Sequence, residues 1–264
     1  MILETGAIVY RADPGACLPC YCTGRVANMR LLAPDMMAFG VNLDAPISFE
    51  AGQFVALEVP GIVGPRVYSI TNFERSTSRI ALLIKRKPGG GVSEWIFNGA
   101  AHSDTELKVF GPLGRATFSP MAGKHLLVIA GGSGIAGMMS ILTRAVQEGY
   151  FQRHRGDVFF GVRTWRDRFY LDEFAKMKAA YPINLSVTVA LSDEDVAQVA
   201  ASEYPQLQFA RGFVHEVAAE AMTGKYANVR AYVAGPPQAV DATLRYLIRD
   251  AKLSPAEIRY DKFG

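Results

Sequence analysis

The sequence predicts two domains in series: an antiparallel β-barrel or sandwich, then a doubly wound, five-stranded parallel sheet. Two observations carry this expectation. The hydrophobic period changes near residues 118–124, and the glycine-rich turn "AGGSGIAG" opens the second half of the chain instead of the first. The length of 264 residues is enough for two ordinary domains.

Residues 24–118 read as short strands. "GRVANMRLLA", "MMAFGVNL", "QFVALEVP", "RVYSIT" and "RIALLIKR" are rich in Val, Ile, Leu, Phe and Tyr, and Pro, Gly, Asn and Asp separate them at short intervals. In "FVALEV" an imperfect period of two puts Phe54, Ala56 and Glu58 on one face and Val55, Leu57 and Val59 on the other. Short strands with turn punctuation and little helix suggest an antiparallel barrel or sandwich. One short helix is expected from about Val92, in "GGGVSEWIFNG".

After "FSPMAGK" apolar strands alternate with helix-compatible stretches. The strands are "HLLVIA", "DVFFGV", "INLSVTVAL", "VRAYVAG" and "EIRYDKF"; the helices fall near 135–148, 169–180, 213–223 and 237–252. Such alternation means a parallel sheet covered on both faces, with right-handed crossovers. The expected division is a leader over 1–22, a barrel over 23–120 and the parallel domain over 121–264.

Composition narrows the function. A net charge of +3 gives no general affinity for nucleic acid. No run of about 18 apolar residues is present, so no membrane span is expected. "MILETGAIVY" lacks the basic and apolar regions of a secretory signal. Three cysteines do not make a disulfide framework and suit a reducing cytoplasm.

Residues 132–137, "GSGIAG", fit the dinucleotide fingerprint G-x-G-x-x-G between a strand and a helix. Glycines there allow positive φ and close approach of a pyrophosphate to N–H groups at a helix start. Gly131, Gly132, Gly134 and Gly137 meet that need; a tightly packed turn with no ligand is the other reading. The acidic ribose partner fits less well. Asp157 opens the second strand instead of closing it, and Arg163 stands where an Asp or Glu is expected.

In the barrel half, "RVYS" places Arg66, Tyr68 and Ser69 on a strand. The tetrapeptide by itself reads as barrel packing, but it also suits a flavin. A guanidinium neutralises a pyrophosphate, a phenol ring stacks on a flat heterocycle, and a hydroxyl bonds a ring nitrogen. "KRKPGGGVSEWIF" then sets glycines before Val92 and Ser93 at a helix start, a second anion site.

In order along the chain, R-x-Y-S, P-G-G-G-V-S-x-W, "GPLG", A-G-G-S-G-I-A and A-G-P-P resemble the ferredoxin–NADP reductase superfamily over residues 24–264. Within it the sequence is most similar to the reductase components of bacterial aromatic-ring oxygenases, such as toluene and phenol monooxygenases and carbazole-type dioxygenases. The resemblance implies a six-stranded flavin barrel followed by a nicotinamide domain. It implies an enzyme that carries electrons from NADH, less readily NADPH, through FAD to a ferredoxin or oxygenase iron–sulfur protein in the cytoplasm, within aromatic hydrocarbon catabolism.

The implied roles are specific. Arg66 contacts the FAD pyrophosphate, Tyr68 stacks on the isoalloxazine and Ser69 lies near flavin N5. Gly90, Gly91, Val92 and Ser93 form the second phosphate turn. Gly131, Gly132, Ser133, Gly134, Ile135 and Ala136 cradle the dinucleotide. Gly235, Pro236 and Pro237 lie by the nicotinamide, and Phe263 either approaches the flavin or plugs the domain interface. Gly137 and Ala234 replace a proline and a cysteine common in the family.

Arg163, Thr164, Arg166 and Arg168 can form either a 2′-phosphate site or a solvated basic turn. Lys85, Arg86 and Lys87 can guide an acidic ferredoxin or simply end a strand in solvent. Cys17, Cys20 and Cys22 have the wrong spacing and number for a plant-type [2Fe–2S] cluster or a zinc site, so no metal is expected in this chain. Residues 1–22 resemble the tail of a ferredoxin domain, which would place such a cluster in a longer parent protein. Two other functions fit the motifs: a reductase of free flavin, and a non-catalytic nucleotide-sensing module.

Overall fold

The structure is a computed structural model and describes residues 18–103, 105–195 and 202–263. Six strands form the first, antiparallel sheet: β1 (Cys20–Ala33), β2 (Met36–Ile47), β3 (Phe54–Glu58), β4 (Arg66–Ser69), β5 (Thr77–Lys85) and β6 (Glu106–Leu113). Their order is β4-β3-β6-β1-β2-β5. The outer strands meet just beyond β4, where Ile70 bridges Leu82 and the Thr71 amide donates to the Ala81 carbonyl. This contact joins the two ends of the sheet and closes it into a barrel. In β2 the inward residues Met36, Phe39, Val41 and Leu43 are buried, and the side chains between them are more open. Helix α1 (Gly91–Phe97) packs Val92 and Ile96 against the barrel.

Two barrel details differ from the sequence reading. β1 begins at Cys20 and pairs Cys20 with Gly111 and Cys22 with Val109, so the expected boundary at residue 22 falls inside a strand. Cys22 is half-buried and its thiol donates to the Val109 carbonyl. Burial pushes that thiol up to about 11. Residues 1–17, with Cys17 and most of the expected leader, lie outside the described residues. β6 is the second, a strand that no sequence pattern marks. Its alternation of buried Leu107 and Val109 with Glu106 and Lys108 is short, and Gly-Pro interrupts it.

The second sheet is parallel throughout, with six strands where five were expected. They are β7 (His125–Gly131), β8 (Gly156–Val162), β9 (Leu185–Leu191), β10 (Gln208–Arg211), β11 (Val229–Gly235) and β12 (Ile258–Lys262). The order is β10-β9-β8-β7-β11-β12. The additional strand is β10. "QFAR" is four residues long and has no buried member, so it lacks the apolar run that marks its neighbours. It is held by parallel pairing to β9, from Gln208–Thr188 to Arg211–Leu191.

Helices cover both faces. Residues of α2 (Ile135–Gln147) and α3 (Leu171–Ala180) pack with Val128, Phe160 and Val187; those of α4 (Val214–Ala221) and α5 (Pro237–Arg249) pack with Leu127, Phe159 and Val233. Alternate residues of one strand thus serve opposite cores, which is why these strands read as continuous apolar runs. No helix among the described residues is long and apolar enough to cross a membrane.

The core on the α2 side is continuous with the barrel core. Polar groups register the joint. The Gly52 amide donates to Ser140 Oγ at 2.8 Å, and Ser140 Oγ donates to the Gly137 carbonyl at 3.0 Å, both buried. Arg144, buried on α2, pairs with Glu50 of the barrel and with Glu148, which caps the end of its own helix, and its guanidinium lies 5.0 Å from the centre of the Phe73 ring. Gly52 has φ +103°, and a Cβ there would lie 2.4 Å from the Ala116 carbonyl oxygen. Arg144→Ala should lower unfolding free energy by about 2 kcal/mol, because it removes the packing and leaves two partly solvated carboxylates without their cation. Urea unfolding checks this, and an unchanged midpoint would show that apolar packing alone holds the joint.

Candidate functional site

The order of the parallel sheet locates the site. From β7 the chain runs outward through β8, β9 and β10, then returns to β11 on the other side of β7. In such sheets the loops after the two strands at the reversal diverge and leave a crevice at their carboxyl ends. Here those loops are Gly131–Gly134 after β7 and Gly235-Pro236-Pro237 after β11.

The glycine turn is built differently from the simple expectation. Gly132 alone among its glycines has positive φ, at +52°, whereas Gly131 and Gly134 have ordinary backbone angles. Gly134 is required for space: a Cβ would lie 2.5 Å from the carbonyl of Ala234 and 2.6 Å from the amide nitrogen of Gly235. Gly132–Gly134 form a single 3-10 turn, after which α2 starts at Ile135. At Gly137 a Cβ would lie 3.5 Å from Ser69, so this departure from the family pattern faces the barrel and not the turn.

Two adjoining cavities fill the crevice. The first, about 390 Å³, has Tyr68, Ser69, Leu83 and Lys85–Pro88 on the barrel side and Gly131–Ser133, Ala136, Pro236 and Phe263 on the other. The second, about 260 Å³, continues past Gly131, Gly132 and Pro236 to Gly161–Arg163, Asp167, Ser192 and Gly212–Val214, with Asp35, Met36 and Lys85 opposite. Tyr68 packs edge-on to Phe39, 6.5 Å between ring centres, and burial pushes its phenol up to about 12.

The structure therefore brings together Tyr68, Ser69, Gly131, Gly132, Ser133, Ala136, Arg163, Pro236 and Phe263. It leaves the other expected residues off the cavity walls. Arg66 is exposed and curls over its own turn, donating to the carbonyls of Val63, Gly64 and Pro65. Val92 and Ser93 are buried, and the Ser93 hydroxyl closes its turn by bonding Lys87 and Gly90. Gly90 and Gly91 leave room for Ser93, Lys87 and Ile62. Gly134 and Ile135 are buried behind the glycine turn, Gly235 packs on Gly131, and Pro237 opens α5.

The basic turn after β8 is dispersed. Arg163 lines the second cavity, whereas Arg166 and Arg168 line a separate cavity beside Tyr204, and Arg168 stacks 4.1 Å from the Trp165 ring. Asp157 pairs with Arg155 at 2.6 Å at the opposite end of the sheet.

Sequence reasoning missed Asp35, Ser192 and Phe213, and it gave Lys85 only a surface role. Lys85 lines both cavities and pairs with Asp35 at 3.4 Å. Phe213 is 59% exposed at the cleft beside His215, an unusual place for a phenyl ring and the one signal that could have marked it. Tyr68 and Ser69 on one wall, facing the turn of Gly131 and Gly132 on the other, fit a flavin and a dinucleotide side by side. Gly134→Ala should abolish dinucleotide binding by forcing the turn away from β11, measurable by calorimetry with ADP-ribose; unchanged affinity would show that the turn can shift freely.

Comparison with known proteins agrees with this geometry. Residues 23–118 match the oxidoreductase FAD-binding domain and residues 128–245 the oxidoreductase NAD-binding domain. The chain is 31% identical over 242 residues to the ferredoxin–NAD(+) reductase component of an alkene monooxygenase system from Xanthobacter autotrophicus, covering 90% of this chain and 69% of the relative. It is 28% identical over 240 residues to the reductase component of phenol 2-monooxygenase from Pseudomonas sp., covering 91% and 65%. The chain thus spans about two thirds of the length of these relatives. The ferredoxin reductase in carbazole 1,9a-dioxygenase superposes with a TM-score of 0.78 at 28% identity, over 93% of this chain and 70% of the other. A flavin-type barrel closed on a parallel sheet, with the shared cleft at its reversal point, makes the chain a member of the ferredoxin–NADP reductase superfamily, an oxidoreductase with FAD-binding and NAD-binding domains.

Proposed function

We propose that the chain passes electrons from NADH through FAD to a ferredoxin or another iron–sulfur acceptor that serves an oxygenase of aromatic compounds, in the cytoplasm. In this reading the barrel, from Cys20 to about residue 120, is the flavin unit and residues 121–264 are the nicotinamide unit. The observation that carries it is the single cavity walled by Tyr68 and Ser69 on one side and by Gly131–Ser133 and Pro236 on the other.

When bound, FAD would supply the redox chemistry, taking two electrons with a hydride and releasing them singly. The chain's residues bind and orient. Tyr68, kept neutral by burial and held by Phe39, gives a flat apolar surface for stacking. Ser69 is 5% exposed and sits against α2, so its hydroxyl has a fixed position from which to polarise a ring nitrogen. Arg66 is free to turn from its loop carbonyls toward a pyrophosphate, joined by the backbone of Gly90 and Gly91 with Val92 and Ser93 packed behind them.

Gly131 to Ala136 hold the dinucleotide phosphates at the start of α2. Gly235, Pro236 and Pro237 fix the nicotinamide end, and Phe263 covers the flavin, tied by its amide to the Gly235 carbonyl at 3.0 Å. Dispersal of the basic turn after β8 supports NADH over NADPH. Lys85, Arg86 and Lys87 border the cleft where an acidic acceptor would dock.

Hydride transfer needs alignment of the donor carbon and the accepting nitrogen, not a side-chain base. Ser69→Ala should therefore slow flavin reduction by NADH roughly tenfold or more in stopped-flow measurements. Affinity for NADH should stay within about twofold. An unchanged reduction rate would remove Ser69 from the mechanism.

A further inference from the structure

We propose that Tyr170 is a positioning residue: it ties the turn after β8, which walls the second cavity, to the barrel strand that carries Ser69. The inference rests on the proposed function, since it concerns how two walls of that cleft stay in register.

Tyr170 stands out by its backbone. It precedes α3 with φ +62° and ψ 13°, in the left-handed region that a bulky aromatic residue rarely enters. Its carbonyl accepts the first helical bond of α3, from the Phe174 amide at 3.0 Å. Such a conformation persists where the surroundings over-determine it. Here the ring packs on the core shared by barrel and sheet, 5.3 Å from the ring of Phe169.

These two neighbours connect two places. Phe169, 5% exposed, lines both the second cavity and the cavity of about 320 Å³ beside Tyr204. The latter lies between the domains, with Arg30, Leu31 and Leu32 of β1 on one side and Arg168, Tyr170 and Glu173 on the other. Arg30 and Glu173 approach to 3.9 Å there.

The Tyr170 phenol meets the hydroxyl of Thr71, two residues beyond Ser69. Burial pushes the phenol up to about 12, so it keeps its proton as a donor. The Thr71 hydroxyl has given its own proton to the Ala81 carbonyl at 3.1 Å, and the Thr71 amide donates to the same carbonyl at 2.8 Å. That hydroxyl therefore faces the phenol with lone pairs. The turn that walls the cleft and the strand that carries Ser69 are thus held as one body. The seat of α2 registers the glycine turn against the barrel, and Tyr170 does the same for the turn after β8.

Amide hydrogen exchange on the FAD-loaded chain tests this without electron transfer, with ADP-ribose as the probe. ADP-ribose has no nicotinamide ring to reach Ser69. In the wild-type chain it should slow exchange over residues 69–73 by about threefold or more. Tyr170→Phe keeps the ring and removes the hydroxyl. It should lose most of that protection while binding ADP-ribose within about twofold of wild type. In stopped-flow reduction by NADH, the same variant should lower the limiting rate about fivefold at a nearly unchanged half-saturating concentration. Thr71→Val should do likewise, and the double variant should be no slower than either single one, because both remove one interaction. Equal protection in wild type and Tyr170→Phe, an unchanged limiting rate, or losses that multiply in the double variant overturns the inference and leaves the proposed function standing. A wild-type chain that binds no ADP-ribose overturns the dinucleotide reading itself, and this inference with it.

Discussion

The seat of helix α2 on the barrel is the constraint on which the rest of the molecule depends. The turn that leads into it carries Gly131 and Gly132, which face the cleft, and further along the helix Ser140 and Arg144 lock into Gly52 and Glu50 of the barrel. One rigid helix thereby fixes the distance between the two walls of the site. The buried polar bonds add direction to apolar packing that has none of its own. Gly137, between these two regions, faces Ser69, so the helix and the barrel strand meet beside the cavity they share.

From that seat the cleft follows. Because β7 lies beside β11, the turns that follow them open at the same edge, and the barrel brings Tyr68, Ser69 and Lys85 to that edge. Neither domain has a complete site. The barrel has the aromatic ring and the cations, and the sheet has the glycine turn, Pro236 and the groups after β8 and β9. Electron transfer between two bound cofactors requires this shared construction, since the reacting atoms belong to molecules held by different domains.

Much of this was legible in the sequence, because apolar strands covered on both faces leave long runs such as "HLLVIA" and "LSVTVAL". The edge strand Gln208–Arg211 was not, since pairing with β9 and not burial defines it. Strand β1 extends back to Cys20 for the same reason: β6 recruits residues whose own pattern is neutral. The motif glycines were visible, but their reasons were mixed. Gly132 serves backbone angle, whereas Gly134 serves the approach of β11, which no local pattern reveals. Lys85, Asp35, Ser192 and Phe213 are far apart in sequence and meet only through the fold.

The central claim is that one cleft holds FAD and NADH together for hydride transfer. An anaerobic titration of the purified, FAD-supplied chain with NADH, and separately with NADPH, tests it most directly through the visible spectrum. The account predicts a retained yellow chromophore, bleached stoichiometrically and much faster by NADH. A protein that keeps no FAD, or keeps it unbleached by either nucleotide, would contradict the account.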